Sequence, residues 1–248
     1  MQEFNIVTTF GKHHTWGHDM VKSCDKFLPS NCSISVYIED EMEDKGRVSY
    51  LPLDVGRIKR FEENFQSMKD KKIPRGIKPH TKIYNDRLFY FWDAARFCHK
   101  IFCMESAARS QASKYLVWVD ADVLFESKVP EDWLGKMTKE GCYTSYLHRK
   151  TRHAETGFII FDTHHPYHLK WWDKVSSIYD NCSFQRVPGG WTDSHVHDYM
   201  VKVSEKEGVG HVRISNNADH AWNESPLIQH CRHFKGLRKE GEHGSNKF

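Results

Sequence analysis

Two aspartates, Asp120 and Asp122, follow the apolar run Tyr115–Val119 with a single alanine between them. If the backbone stays extended, alternation of side chains places both carboxylates on one face of the chain. Two carboxylates that converge repel each other unless a cation lies between them. Hard oxygen ligands of this kind suit Mg²⁺ or Mn²⁺ better than zinc. The spacing therefore predicts a site for Mn²⁺ or Mg²⁺ on these two residues.

The run before the two aspartates predicts where that site lies. A continuous apolar strand is typical of a central parallel strand that is covered on both faces. Ligands of such sheets bind beyond the carboxyl ends of the strands, and Asp120 stands at that end. The structural alternative is that Asp120 caps the next turn and Asp122 is solvated. The apolar segment VLF after Asp122 favours the metal site.

The segment LVWVDADVLF resembles the D-x-D segment of nucleotide-sugar glycosyltransferases with the GT-A fold. The resemblance implies that Asp120 and Asp122 hold the metal against the diphosphate of a sugar donor, with Ala121 beside that donor. It also implies a UDP-sugar of the glucose or galactose type as donor, and a glycan or other hydroxyl as acceptor. A metal on the diphosphate would stabilise the negative charge that grows as the sugar–oxygen bond breaks.

A second resemblance lies near the end of the chain, in HCRHFKGLRKE. His233, Gly236 and Lys239 match the H-x-x-G-x-x-K pattern of family 8 retaining glycosyltransferases. By this resemblance His233 is the third metal ligand, Gly236 lets the backbone approach a phosphate, and Lys239 contacts the diphosphate. His230 is a rival ligand, three residues before His233. The pattern favours a reaction that retains the configuration of the sugar.

Two segments between these motifs carry candidate catalytic carboxylates. In HAETGFIIFD, the resemblance implies that Gly157 allows close approach to the donor sugar and that Glu155 faces the sugar hydroxyls or the acceptor. The alternative for Glu155 is a surface carboxylate. In GGWTDSHVHDYM, Asp193 matches the first acid of the family 8 D-Q-D helix start, and Ser194 replaces its glutamine. Asp193 is alternatively the general base of an inverting reaction or a helix cap. Two histidines are further candidates: His195 and His197.

The resemblance also implies a nucleotide site at the end of the first strand. Thr8, Thr9 and Phe10 end that strand, and Phe10 would stack on uracil. Arg96 and Lys100 lie on the helix before the D-x-D strand, where a basic side chain reaches the donor in this fold. The alternatives are that Thr8, Thr9 and Phe10 are ordinary strand residues and that Lys100 is solvated.

Hydrophobic periodicity predicts an α/β fold with a mixed, mainly parallel sheet flanked by helices, GT-A (Rossmann-like), as one domain over residues 1–248. Expected strands are Phe4–Phe10, Ile34–Glu39, Tyr115–Val119, Gly141–Leu147, Gly157–Asp162 and Gly210–Ser215. Expected helices are His18–Leu28, Arg57–Asp70, Asn85–Ser110, His165–Asp180 and Asp193–Lys206, and the residues after Ser215 are expected to form a loop-like tail.

Composition argues against two other classes of partner. The chain has 248 residues and a formal net charge of +3, which implies no strong field toward nucleic acid or a membrane. The first residues, MQEFNIVTTF, have no basic segment and no long apolar run, so we expect neither a signal peptide nor a membrane span in this sequence. The seven cysteines form no C-x-x-C pair, which favours free thiols in a reducing compartment and a cytoplasmic location.

Two other functions compete with a glycosyltransferase. A nucleotidyltransferase that makes sugar nucleotides would carry a loop dense in glycine after the first strand, whereas GKHHTWGH has only two glycines. A non-catalytic protein that binds nucleotide sugars would keep the same fold and metal site. Release of UDP from a donor separates an enzyme from such a binding protein.

Overall fold

The structure is a computed structural model that describes residues 3–11, 13–66, 89–150, 152–188, 190, 192–215 and 221–234. In chain order its elements are β1 (Phe4–Thr9), α1 (Thr15–Phe27), β2 (Cys32–Ile38), β3 (Val48–Pro52), α2 (Val55–Gln66), α3 (Phe89–Ser110), β4 (Tyr115–Val119), β5 (Val123–Phe125), β6 (Cys142–Leu147), β7 (Glu155–Asp162), α4 (His168–Asp180), α5 (Asp193–Glu205), β8 (Gly210–Arg213) and β9 (Cys231–His233).

Seven strands form the main sheet, in the order β3-β2-β1-β4-β7-β6-β8. Strand β7 runs antiparallel to β4 and β6, and the other neighbouring pairs are parallel. The carboxyl ends of β1, β4 and β6 therefore meet at one edge of the sheet, where β7 begins. Val119 pairs with Phe158 across the antiparallel pair, so the two residues that follow β4 lie beside the start of β7.

Side chains of β4 enter the cores on both faces of the sheet. Leu116 and Trp118 lie in the core that includes residues of α3, α4 and α5, whereas Val117 and Val119 lie in the core that includes residues of α1. All five residues of β4 are buried. This double coverage explains why the strand is a continuous apolar run, as in parallel sheets that helices cover on both faces.

The architecture confirms the predicted mixed, mainly parallel sheet with flanking helices. Two features were missed. Strand β3 extends the sheet at its edge, and β9 forms part of the tail, where it pairs with β5 in a separate two-stranded sheet. Helix α1 begins at Thr15, three residues before the predicted start. The extent of the domain over residues 1–248 stays a prediction.

Two further predictions concern the environment of the chain. Among the helices that the structure describes, none is both long enough and apolar enough to span a membrane. None of the seven cysteines forms a disulfide bond, and all except the partly exposed Cys142 are buried. The cytoplasmic location stays a prediction.

Candidate functional site

Asp120 lies at the end of β4, where three neighbours fix it. Its backbone N–H donates to the carbonyl of Gly157 on β7 at 2.9 Å. Its carboxylate oxygen Oδ1 accepts from the indole N–H of Trp118 at 2.6 Å and from the ammonium of Lys100 at 2.9 Å. Strand β4, strand β7 and helix α3 thus all contribute to the placement of this one carboxylate.

Asp122 and His233 are brought together by the small sheet of β5 and β9. Val123 pairs with His233, and the backbone N–H of Phe234 donates to the carbonyl of Asp122 at 2.9 Å. The Nε2 atom of His233 then lies 3.1 Å from Oδ1 of Asp122. The ring of Trp222 packs against the His233 ring, with 4.9 Å between centroids.

Asp120, Asp122 and His233 form one group whose ligand atoms lie within 4.8 Å of one another. Two features of this group are those expected of a site that could hold a metal ion. The Nδ1 atom of His233 is buried and has no hydrogen-bond partner among the described residues, and buried polar nitrogens rarely go unsatisfied. The donor set is two carboxylates and an imidazole, which favours Mn²⁺ over Mg²⁺, whose sites are built from oxygen.

Gly157 keeps the space beside this group open. A Cβ atom at this position would lie 2.9 Å from Cε1 of His233 and 3.3 Å from both Nδ1 of His233 and Oδ2 of Asp120. Real Cβ atoms essentially never approach a neighbour within 3.0 Å. Any side chain here would displace two of the three residues that could hold the ion, so the backbone at Gly157 is part of the site.

We expect Gly157→Ala to weaken Mn²⁺ binding by about tenfold or more, because overpacking of a close contact costs about 1–3 kcal/mol. Titration of the protein with Mn²⁺, without any donor, measures this effect. Gly135→Ala is the matched control, since a Cβ atom there has nothing within 4 Å. Equal Mn²⁺ affinity in Gly157→Ala and the wild type would show that the ion lies elsewhere.

Lys100 links Asp120 to the start of helix α5. Its ammonium lies 2.7 Å from Oδ2 of Asp193, the first residue of that helix, and donates to the carbonyl of Thr156 at 2.6 Å. The hydroxyl of Thr156 donates to the same oxygen of Asp193 at 2.6 Å and lies 3.0 Å from the hydroxyl of Ser194. Lys100 and Asp193 are only 5% and 4% exposed, so this is a buried ion pair.

Burial disfavours the charged form of both Lys100 and Asp193, but in each residue the interaction with oppositely charged or hydrogen-bonding neighbours outweighs this effect. Desolvation lowers the pKa of Lys100, but the carboxylates of Asp120 and Asp193 together raise it above its usual value. Desolvation raises the pKa of Asp193, but Lys100 and Thr156 hold it below its usual value. Both groups therefore remain charged at neutral pH. A carboxylate with a lowered pKa is a weak general base.

Glu155 begins β7 at the same edge of the sheet. It is buried, and its carboxylate forms an ion pair with the guanidinium of Arg149, which lies in the connection between β6 and β7. Glu155 is therefore an interior carboxylate with a cationic partner, in contrast to the surface alternative. A catalytic role for Glu155 stays a prediction.

The three residues at the end of β1 have different surroundings. Thr8 is fully buried, and its hydroxyl has no hydrogen-bond partner among the described residues. The hydroxyl of Thr9 donates to the carbonyl of Tyr37 on β2 at 2.8 Å. The ring of Phe10 packs edge-on to His18 with 5.1 Å between centroids, and covers Gly17 so closely that a Cβ there would clash. Their contact with a nucleotide stays a prediction.

The remaining histidine candidates lie outside the three-residue group. His230 bonds through Nδ1 to the hydroxyl of Ser127 at 2.9 Å, so the geometry favours His233 over this rival ligand. The Nδ1 atom of His195 lies 2.7 Å from the hydroxyl of Thr192. His197 is buried beside the ring of Tyr146, with 4.8 Å between centroids. Neither of the last two joins the carboxylate pair.

Some residues predicted to contact the nucleotide-sugar donor lie where the structure describes no side chain. Gly236 and Lys239 lie outside the described residues, as does the side chain of Arg96 on helix α3. Ala121 is partly buried, in the turn between the two aspartates. Their roles stay predictions.

Two residues that complete the site were missed from the sequence. Trp118 precedes Asp120 by two positions, and the alternation of side chains along a strand was a signal that could have found it. Thr156 contacts Lys100 and Asp193 from a different strand, and no pattern in the sequence indicates that contact.

Comparison with known proteins gives results at the level of structure only. No family model matches the chain, and no curated protein matches it in sequence. Mouse xyloside xylosyltransferase 1, in its apo form, matches with a TM-score of 0.45 and 11% identity, over 85% of this chain and 84% of that one. The apo glycosyltransferase GlyE of Streptococcus pneumoniae TIGR4 matches with a TM-score of 0.43 and 10% identity, over 86% of this chain but 45% of that one.

A third solved structure matches this chain over almost the full length of both proteins. It is a glycosyltransferase involved in the glycosylation of the major capsid of PBCV-1, with a TM-score of 0.50 and 12% identity over 96% of this chain and 97% of that one. The predicted GT-A fold class is confirmed. At this level of identity the likeness concerns the fold, and what the chain does has to be argued from its site.

Proposed function

We propose that this protein is a metal-dependent glycosyltransferase that moves a sugar from a nucleotide donor, a UDP-sugar of the glucose or galactose type, to the hydroxyl of a glycan or other acceptor. One observation carries the proposal. His233, more than a hundred residues away in sequence, lies beside Asp120 and Asp122 at the sheet edge where ligands of α/β sheets bind. The glycosyltransferase fold supports the same conclusion.

The residues of the site would contribute in different ways to binding the nucleotide-sugar donor. Asp120, Asp122 and His233 would hold Mn²⁺, which supplies charge stabilisation to the diphosphate as it leaves the sugar. Gly157 leaves the space beside the ion open. Lys100 offsets part of the charge of Asp120 from the protein side of the site, which reduces the repulsion between this carboxylate and Asp122.

The contacts of two carboxylates, Asp193 and Glu155, bear on the stereochemistry of transfer. A general base must reach the acceptor hydroxyl with its proton-accepting oxygen, but Oδ2 of Asp193 already accepts from Lys100 and Thr156 inside the protein. The carboxylate of Glu155 is paired with Arg149. Both arrangements favour a retaining reaction, in which no base deprotonates an attacking acceptor from the opposite face of the sugar. We propose retention on this ground.

A panel of UDP- and GDP-sugars, incubated with the protein and Mn²⁺, tests the proposal through release of UDP or GDP. We expect release from at least one UDP-hexose, its loss with a chelator and its recovery with added Mn²⁺. Once an acceptor is found, NMR of the anomeric proton in the first product reports retention or inversion. Binding of Mn²⁺ and UDP with no release from any donor would identify a binding protein. Pyrophosphate release from UTP and a sugar phosphate would identify a nucleotidyltransferase.

A further inference from the structure

The two oxygens of the Asp120 carboxylate have different surroundings. Oδ1 accepts from the indole N–H of Trp118 at 2.6 Å and from Lys100 at 2.9 Å. Oδ2 lies beside Gly157, where a Cβ atom would be 3.3 Å from both this oxygen and Nδ1 of His233. The χ2 torsion of aspartate is broad, so the plane of a carboxylate can rotate unless hydrogen bonds hold it. The two donors on Oδ1 therefore fix the orientation of this plane and leave the other oxygen for the ion.

Lys100 is fully engaged by the protein. An ammonium has three donor hydrogens, and Lys100 has three acceptors in Oδ1 of Asp120, Oδ2 of Asp193 and the carbonyl of Thr156, at 2.9, 2.7 and 2.6 Å. No hydrogen remains for a donor sugar in this arrangement. The structure thus gives Lys100 a contact with Asp120, and its contact with the sugar donor stays a prediction.

The indole N–H is the only polar group of the Trp118 side chain, and it donates to Asp120. Its side chain is 2% exposed and its ring lies in the core below α3, where an indole N–H needs an acceptor. Asp120 is two residues further along the strand, on the same face. The ammonium of Lys100 lies 5.0 Å from the centre of the Trp118 ring. Ring and carboxylate thus enclose the ammonium from two sides.

We propose that Trp118 is a positioning residue for the metal site, which orients Asp120 through its indole N–H so that Oδ2 is presented to the ion. Lys100, anchored by Asp193 and Thr156, assists from α3 by a charged hydrogen bond to the same oxygen. The inference rests on the proposed function, because it requires that Asp120 bind a metal. Groups that orient a metal ligand in this way commonly change metal affinity about 10–100-fold when mutated.

Trp118→Phe tests the inference, because it keeps an aromatic ring in the core and removes the N–H. We expect the dissociation constant for Mn²⁺, measured by titration calorimetry without a donor, to rise about 10–100-fold. The matched control is Trp133→Phe, since Trp133 is also buried but its N–H has no hydrogen-bond partner among the described residues. We expect that control to bind Mn²⁺ as the wild type does.

A second readout distinguishes orientation from a packing defect. If Trp118 only orients Asp120, saturating Mn²⁺ restores most of the turnover of Trp118→Phe, so the Mn²⁺ requirement rises while kcat changes little. A packing defect lowers kcat at every Mn²⁺ concentration, and that result overturns the inference. Should Trp118→Phe not fold, benzothienylalanine at position 118 replaces the N–H by sulfur at nearly constant shape, with the same expectation.

The wild-type titration separates this inference from the proposed function. If the wild-type protein binds no Mn²⁺, both the proposed metal site and the proposed function are refuted. A wild type that binds Mn²⁺, together with a folded Trp118→Phe variant of equal affinity, leaves the proposed function intact and refutes the inference on Trp118 alone.

Discussion

Asp122→Asn will abolish sugar transfer while the protein remains folded. Asparagine keeps the size of the side chain but removes the negative charge that faces His233 at 3.1 Å. Charge stabilisation by a bound metal is worth several kcal/mol in a transition state, which corresponds to a loss of about 10²–10⁴-fold in kcat/KM. Release of UDP at saturating Mn²⁺ measures the loss, and circular dichroism with thermal unfolding checks the fold.

The matched control for this substitution is Asp132→Asn. Asp132 is an exposed carboxylate, paired with Lys136 four residues away on the surface, so we expect wild-type activity and no measurable change in stability. Wild-type turnover in Asp122→Asn, with metal present, would remove Asp122 from the site. A loss of helical signal in that variant would assign the effect to the fold instead.

Lys100→Met will destabilise the protein more than any other substitution considered for this site. Methionine fills the space of the lysine stem, but leaves the buried carboxylate of Asp193 without its cation. Removal of one partner of a buried ion pair costs about 3–5 kcal/mol. Denaturant unfolding of both proteins at neutral pH measures the difference. Lys136→Met, which breaks an exposed pair with Asp132, should leave stability unchanged, because solvent screens such a pair.

The stability that Lys100→Met loses should become smaller as the pH falls. In the wild type the pKa of Asp193 is lowered by Lys100 despite burial, so its stabilisation is present above the pKa of the unfolded carboxyl and is lost as pH falls through the folded pKa. Without Lys100, burial is the largest remaining influence and raises the pKa of Asp193, opposed only by the hydrogen bonds from Thr156 and the backbone of Ser194. The variant therefore gains stability relative to the wild type on acidification, and the difference in unfolding free energy narrows as the pH falls.

A double variant isolates the ion pair. Lys100→Met with Asp193→Asn removes both charges, and we expect it to recover part of the stability lost in Lys100→Met, because a neutral amide is easier to bury than a carboxylate. Stability of Lys100→Met within about 1 kcal/mol of the wild type, or a difference that widens toward acid pH, would contradict a buried pair at this position.

The central part of the site was predictable from the sequence because its signals are local. A buried strand has to read as an apolar run, and a charged pair directly after such a run stands out; Asp120 and Asp122 were found on that basis. His233 required a pattern more than a hundred residues away, and its pairing with Asp122 is now visible in the register of β5 and β9. Metal binding itself stays a prediction.

The parts that escaped prediction share a physical reason. Strands β5 and β9 have three residues each, too few to show any periodicity, so their pairing is decided by tertiary contacts. The contacts of Thr156 with Lys100 and Asp193 join three elements, and their spatial relation depends on how α3 and α5 pack on β7. Strand β3 was missed because five residues at the edge of a sheet, four of them at least partly exposed, carry a weak apolar pattern.

The pairing of β5 with β9 also has a consequence for the timing of biosynthesis. His233 leaves the ribosome about 110 residues after Asp122, a delay of roughly 5–20 seconds at translation rates of about 5–20 residues per second. Strands β1 to β8 can pair within that interval, while the two aspartates alone offer the ion an incomplete set of ligands. Stable capture of Mn²⁺ by a nascent chain would therefore mark the moment when β9 joins the protein.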